Sequence, residues 1–151
     1  MSRYLGVDYG TKRIGLAISD DLGITARPLG VVGRKQLEAE LGRVSEEYDV
    51  AGVVVGLPTA LAGHEGDSAS GARELGREIG TFLGVRVVYV DERFTSKIAE
   101  RALLESGMKR RDRRERVDKV AAAIILQTFL DSQDRAGNSG GGAGVEPPES
   151  Q

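Results

Sequence analysis

The sequence predicts an α/β fold, one mixed sheet with helices on both of its faces. Three observations carry this. Arg3–Tyr9, Arg13–Ser19 and Thr25–Val32 read as consecutive strands with short connections, an antiparallel meander. Helical and extended periodicities then alternate down the chain. Among them Val50–Gly56 (Val-Ala-Gly-Val-Val-Val-Gly) is continuously apolar, the pattern of a strand covered on both faces.

The first strand runs out at Asp8, and a glycine turn joins it to the second. After the meander, Leu37, Leu41, Val44 and Tyr48 recur at spacings of four, three and four, so Lys35–Tyr48 is an amphipathic helix. The apolar strand Val50–Gly56 follows. A glycine-rich loop, Leu57–Asp67, leads into a second helix whose apolar positions are Ala72, Leu75, Ile79 and Phe82. Val85–Val90 is a strand ending in Asp91-Glu92-Arg93. Thr95–Ser106 is helical, with Gly107 as its C-terminal stop. Val117–Leu130 closes the order β-β-β-α-β-α-β-α-α with a long apolar helix. Residues 1–135 form one domain. Residues 136–151, mostly Gly, Ser, Pro and Glu, offer almost nothing to bury and are expected to be a disordered tail.

A chain of 151 residues is long enough to bury a core. It has no cysteine, which excludes disulfides and thiolate metal sites and suits a reducing compartment. No run approaches a membrane span, and the first residues lack a signal peptide's apolar segment, so the expected location is the cytoplasm. The formal net charge of −2 does not point to nucleic acid. Its distribution says more, because Lys109–Lys119 concentrates a large share of the positive charge. Such a run is either a solvated loop and helix start or a local phosphate-binding footprint.

Carboxylates beside apolar elements single out the chemistry. Asp8 ends the first strand among Leu5, Val7 and Ile14; Asp91 and Glu92 end the last strand; Asp118 opens the final helix among Val117, Val120 and Ala121. A carboxylate in apolar surroundings is costly unless a positive partner sits beside it. Strand ends on one edge of a mixed sheet lie together, and a helix crossing that edge can add Asp118. Converging carboxylates raise one another's pKa, and a divalent cation removes that cost. Hard oxygen donors without His or Cys suit Mg²⁺ or Mn²⁺. Two such ions can clamp the attacking and leaving oxygens of phosphodiester hydrolysis. Asp91 and Glu92 alternate, so only one of them is a ligand, and Asp91 serves equally well as a turn or helix cap. Asp118 alone would also suit the first turn of a helix.

With these residues assembled, the chain resembles the YqgF (RuvX-like) family, compact RNase H-fold proteins described as Holliday junction resolvases and as pre-16S rRNA nucleases. The matching motifs are Leu5–Asp20 (Leu-Gly-Val-Asp-Tyr-Gly-Thr-Lys-Arg-Ile-Gly-Leu-Ala-Ile-Ser-Asp), Val53–Pro58, Asp91–Ser96 and Val117–Gln127, in order along nearly all the chain before the tail. The resemblance implies an RNase H-like mixed five-stranded sheet flanked by helices. It also implies a metal-binding catalytic cluster of Asp8, Glu92 and Asp118, which breaks the tie at positions 91 and 92 in favour of Glu92. The loop Leu57–Gly66 departs from the family by being rather apolar.

Lys12 and Arg13 flank Asp8 at the first turn, and Arg93 follows Glu92; with Lys109, Arg110 and Arg111 they are the candidate substrate-binding cations. His64, the one histidine, reads as an incidental loop residue. Asp20 shapes the turn before Leu22-Gly23. The resemblance implies a metal-dependent endonuclease, a hydrolase acting on structured RNA, with a pre-16S rRNA precursor as substrate and a pre-ribosomal particle as partner, working as a monomer or homodimer. In that picture Asp8 bridges the metals and segment 109–119 grips the strand. Three alternatives stand beside it. A Holliday junction resolvase would use the same acids on branched DNA. An ATP-dependent phosphotransferase is suggested by Asp8-Tyr-Gly-Thr11, which resembles the first phosphate loop of the actin and sugar-kinase ATPases, but one domain of this size has no second lobe. A non-catalytic RNA-binding assembly factor would keep the fold without turnover.

Overall fold

Alternation decides the sheet. Leu5 and Val7, then Ile14, Leu16 and Ile18, place an apolar side chain at every second position, which an extended strand sends to one face. In the computed structural model, which describes residues 2–10, 12–58, 67–91 and 120–133, these form β1 (Arg3–Asp8) and β2 (Arg13–Ser19). They are followed by β3 (Ala26–Gly33), α1 (Leu37–Glu47), β4 (Val50–Leu57), α2 (Asp67–Leu83) and β5 (Arg86–Asp91). Residues 120–133 are helical and are called α3.

The five strands form one sheet in the order β3-β2-β1-β4-β5. β1 pairs antiparallel with β2, and β2 with β3, which is the expected meander. β4 joins β1 in parallel and β5 joins β4 in parallel, so the sheet is mixed. The three parallel strands β1, β4 and β5 therefore end on the same edge, where β2 begins.

The two faces are unequal. One carries Leu5, Val7, Ile14, Leu16, Ile18, Val53 and Val55, covered by Leu37, Leu41 and Val44 of α1 and by Ala72, Leu75 and Ile79 of α2. The other carries Ala17, Val54 and Val88 beneath Ala122, Ile125, Leu126, Phe129 and Leu130 of α3. Val53, Val54 and Val55 are all fully buried, so β4 is covered on both faces as its apolar run required. With eight buried residues against thirteen, the α3 face holds less apolar burial among the described residues and depends more on how closely its helix is seated.

The boundaries depart from the sequence pattern in a few places. The first helix begins at Leu37, because Arg34–Gln36 is a separate 3-10 turn. β1 stops at Asp8, one residue early, and β3 starts at Ala26, because Thr25 is drawn into the preceding turn by Asp20. Phe82, expected on the apolar face of α2, is 48% exposed. α3 continues beyond Leu130 to residue 133. The expected helix 95–106, most of the loop 57–67, and the tail 136–151 lie outside the described residues, as does any check on the boundary at residue 135. Among the described residues, no helix is long and apolar enough to cross a membrane.

Candidate active site

Asp8 ends the central strand. Leu5 and Val7 face α1 and α2, so Tyr4, Gly6 and Asp8 point to the opposite face, beneath α3. The pairing places Asp8 beside Gly15 of β2, and the parallel register carries the same row to Gly56 and Val90. Both strand positions next to Asp8 thus lack a side chain. Asp8 itself is half-buried.

α3 crosses this face at close range because of Gly6. A Cβ on Gly6 would lie 2.7 Å from the carbonyl oxygen of Ala122 and 2.8 Å from the Cβ of Leu126. Only glycine allows a helix backbone to sit that near a strand. Further along, the rings of Tyr4 and Phe129 pack with centroids 5.0 Å apart and a tilt of 59°. Moving from Ala122 to Phe129 thus moves from Gly6 back to Tyr4, so α3 runs antiparallel to β1. Its far half is tied down by Gln127. The amide oxygen of Gln127 accepts from the Ala26 N–H at 3.0 Å, and its nitrogen donates to the Ile24 carbonyl at 2.8 Å and to Asp131 at 3.0 Å.

The cations at the first turn sit on the same edge. A Cβ on Gly10 would collide with the carbonyl oxygen of Arg13, so glycine is what lets the turn close this tightly. Lys12 and Arg13 are both exposed. Arg13 alternates with Gly15 and Ala17, which puts it on Asp8's face.

Asp91 lies elsewhere. Along β5, Val88 belongs to the core under α3, while Tyr89 turns to α2, where its hydroxyl donates to the Arg73 carbonyl at 3.0 Å and its ring lies 4.9 Å from the Arg73 guanidinium. Asp91 shares Tyr89's parity and so projects to the face opposite Asp8. Sequence alternation left positions 91 and 92 open; the described strand removes Asp91 from Asp8's side of the sheet.

Glu92, Arg93, Lys109, Arg110, Arg111 and Asp118 lie outside the described residues, as does His64. Among the described residues, no three His, Cys, Asp or Glu side chains converge. Asp20 has the structural role expected of it. Its carboxylate accepts from the Ile24 N–H at 2.7 Å and from the Thr25 N–H and hydroxyl, at the end of the sheet away from Asp8. Those bonds, the Ile24 one foremost, hold its carboxyl below the ordinary range. Sequence reasoning missed Gly6 and Gln127 as site-building residues. The signals were a glycine inside a strand, two positions before the key carboxylate, and an amide within an apolar helix.

The family model of RuvX, described as Holliday junction resolvase, matches residues 2–132. Relatives named "Putative pre-16S rRNA nuclease" include one from Lactococcus lactis subsp. cremoris, 40% identical over 136 residues, covering 87% of this chain and 95% of the relative. Another, from Anaeromyxobacter sp., is 46% identical over 134 residues, covering 87% and 98%. A third, from Moorella thermoacetica, is 43% identical over 141 residues, covering 91% and 99%. Among solved structures, Thermus thermophilus RuvC in complex with a Holliday junction substrate aligns with a TM-score of 0.54 at 17% identity, over 89% of this chain and 96% of that one. At that identity the likeness shows the fold, and the RNase H-like mixed five-stranded sheet with flanking helices is the architecture found.

Proposed function

The chain belongs to the RuvX family, and from that premise and the geometry around Asp8 we propose that it is a metal-dependent endonuclease that hydrolyses phosphodiester bonds in pre-16S rRNA. The observation that carries this reading is the antiparallel seating of α3 on β1. Ala122 lies over Gly6. The sequence expects this helix to open at Val117, and on that expectation Asp118 stands one turn before Ala122, while Asp8 is two residues forward from Gly6. The two steps then run the same way and are of similar length, about 6 Å for four helical residues and about 6.6 Å for two strand residues. That reading makes Asp118 the partner of Asp8. Asp91 projects to the face opposite Asp8 and is set aside, and the resemblance to the family makes Glu92 the third acid.

The proposed donor set of Asp8, Glu92 and Asp118 is all carboxylate and fits a hard cation, Mg²⁺ or Mn²⁺. Such an ion, when bound, supplies Lewis-acid activation of water for in-line attack at phosphorus. The chain's own part is to hold Asp8 at a rigid strand end between two glycines and to offer Lys12 and Arg13 to the substrate's phosphates. Arg93, Lys109, Arg110 and Arg111 are assigned to the same task. The names of the relatives favour pre-16S rRNA as substrate; a pre-ribosomal particle as partner and the cytoplasm as location belong to the same proposal. The family's description favours a second substrate, the four-way DNA junction.

The test is incubation of the protein with a pre-16S rRNA fragment and, in parallel, a four-way DNA junction, with Mg²⁺ or Mn²⁺. Wild type should cut the RNA, chelator should stop it, and Asp8→Asn should lose at least a hundredfold in rate. Preferential cutting of the junction in direct competition would assign the second substrate. Equal cutting by Asp8→Asn would refute the site.

A further inference from the structure

The edge that carries Asp8 continues toward β3 through segments that carry cations and no acid of their own, with Glu78 of α2 reaching them at Arg34. Residues 9–19 and 22–37 contain no Asp or Glu. At the site end of the sheet these two stretches contribute Lys12, Arg13, Arg34 and Lys35, in a chain whose net charge is −2. Pairing brings them together. Arg13 is the register partner of Gly33, and the 3-10 turn Arg34–Gln36 starts at the next residue. From strand spacings, Arg13 lies about 8 Å from Asp8 along this edge and Gly33 about 12 Å.

The four cations are not equivalent. Arg34 forms an ion pair with Glu78 of α2 at 2.7 Å, which ties the 3-10 turn to the body of the protein. Lys12, Arg13 and Lys35 are exposed and make no ion pair among the described residues. The turn thus presents Lys35 at the sheet edge where Asp8 also ends, as the chain passes from β3 to α1. The distance from Asp8 to Gly33 is that of a few nucleotides, taking the rise of about 3.4 Å per nucleotide of a stacked strand.

We propose that Lys35 is a substrate-binding residue, and that one arm of the nucleic-acid substrate leaves the cleavage site across the β1–β2 turn to Lys35, on the β3 side of the sheet. This rests on the nuclease reading for the position of the cut, but the binding surface can be tested without cleavage. Lys35→Ala and, as a control for the loss of one positive charge, Arg43→Ala would be compared with wild type. Arg43 lies on α1 in an ion pair with Glu40.

Binding of a fluorescein-labelled single-stranded pre-16S rRNA fragment would be followed by anisotropy in EDTA between 50 and 200 mM KCl. Loss of one phosphate contact lowers the slope of log K against log salt by about 0.7. Wild type should therefore bind several-fold more tightly than Lys35→Ala at 50 mM, and the ratio should shrink about threefold by 200 mM. Arg43→Ala should follow wild type. In cleavage assays with Mg²⁺, Lys35→Ala should raise KM and leave kcat unchanged. Parallel salt slopes for wild type and Lys35→Ala, an equal loss in Arg43→Ala, or no binding by wild type at 50 mM would overturn the proposal. Binding that follows the prediction in a wild type that cuts nothing would remove the nuclease reading and leave the binding surface standing.

Discussion

Replacing Gly6 by alanine should lift α3 from β1 and separate the two halves of the proposed site. The new Cβ would stand 2.8 Å from the Leu126 Cβ, against the 3.5 Å or more of an ordinary carbon contact, so the helix must retreat by about 0.7 Å. It would also stand 2.7 Å from the Ala122 carbonyl, and a backbone oxygen cannot swing aside as a side chain can. Overpacking of this kind costs about 1–3 kcal/mol, while the stiffer unfolded chain returns about 0.4–1 kcal/mol. The net loss is about 1–2 kcal/mol, or a fall in Tm of roughly 2–8 °C for a domain of this size. A displacement approaching 1 Å is enough to cost up to about a hundredfold in rate. The control is Gly42→Ala on α1, where a Cβ meets nothing within 4 Å and a helix gains about 0.5–1 kcal/mol. Urea denaturation and Mg²⁺-dependent RNA cleavage would be measured on both variants. A Gly6→Ala protein as stable and as active as wild type, beside a stabilised Gly42→Ala, would refute the claim that close seating of α3 positions the acids.

Gln127→Met keeps the bulk of the side chain but leaves the Ala26 N–H and the Ile24 carbonyl without its amide; it should cost about 1–3 kcal/mol in urea denaturation and speed hydrogen exchange at the Ala26 amide. Asp20 has a carboxyl depressed in the folded state, chiefly by the Ile24 N–H, so its contribution is present above the unfolded value near 3.8 and vanishes as pH falls through the lower folded value. Asp20→Asn should accordingly be less stable than wild type at pH 7, and the two thermal-stability curves should converge below that range. Phe82→Ser should change stability by less than about 1 kcal/mol because half the ring already meets water, whereas Leu75→Ala, at a fully packed position of the same helix, should cost about 2–5 kcal/mol. Equal losses at the two positions in urea denaturation would contradict the assigned faces of α2.

What the sequence made legible was local. β2 runs from Arg13 to Ser19, as its alternation predicts, and the Val50 run is a strand covered on both faces. Asp8 stands at a strand end because an apolar alternation stops there. The features that build the site around it are contacts between residues far apart in the chain. Gly6 meets residues of a helix more than a hundred positions later, and Gln127 reaches back to Ala26 across a separation of 101. No periodicity within a short window encodes such a contact. The side of the sheet taken by Asp91 was hidden for a related reason. Alternation places neighbours on opposite faces, but only the parallel register with β4 and the position of Val88 under α3 say which face is which.

That register also explains why the reactive edge lies where it does. A parallel pair needs a crossover, so β1, β4 and β5 are joined through helices and must all finish at one edge. The hairpin from β1 to β2 reverses there, which puts the start of β2, with Lys12 and Arg13, beside the end of β1. β3 then returns parallel to β1 and finishes at the same edge, delivering Arg34 and Lys35. The carboxylate and these four cations are therefore gathered by strand direction alone, before any side chain chooses a rotamer. Strand direction cannot supply a group from above the sheet; that depends on α3, whose face holds the smaller buried cluster and whose approach is set by a single missing Cβ. The sheet thus fixes Asp8 and its flanking charges robustly, while the proposed acid at position 118 hangs on the Gly6 contact and the Gln127 tether. Damage to either should impair cleavage while RNA binding along the cation strip persists.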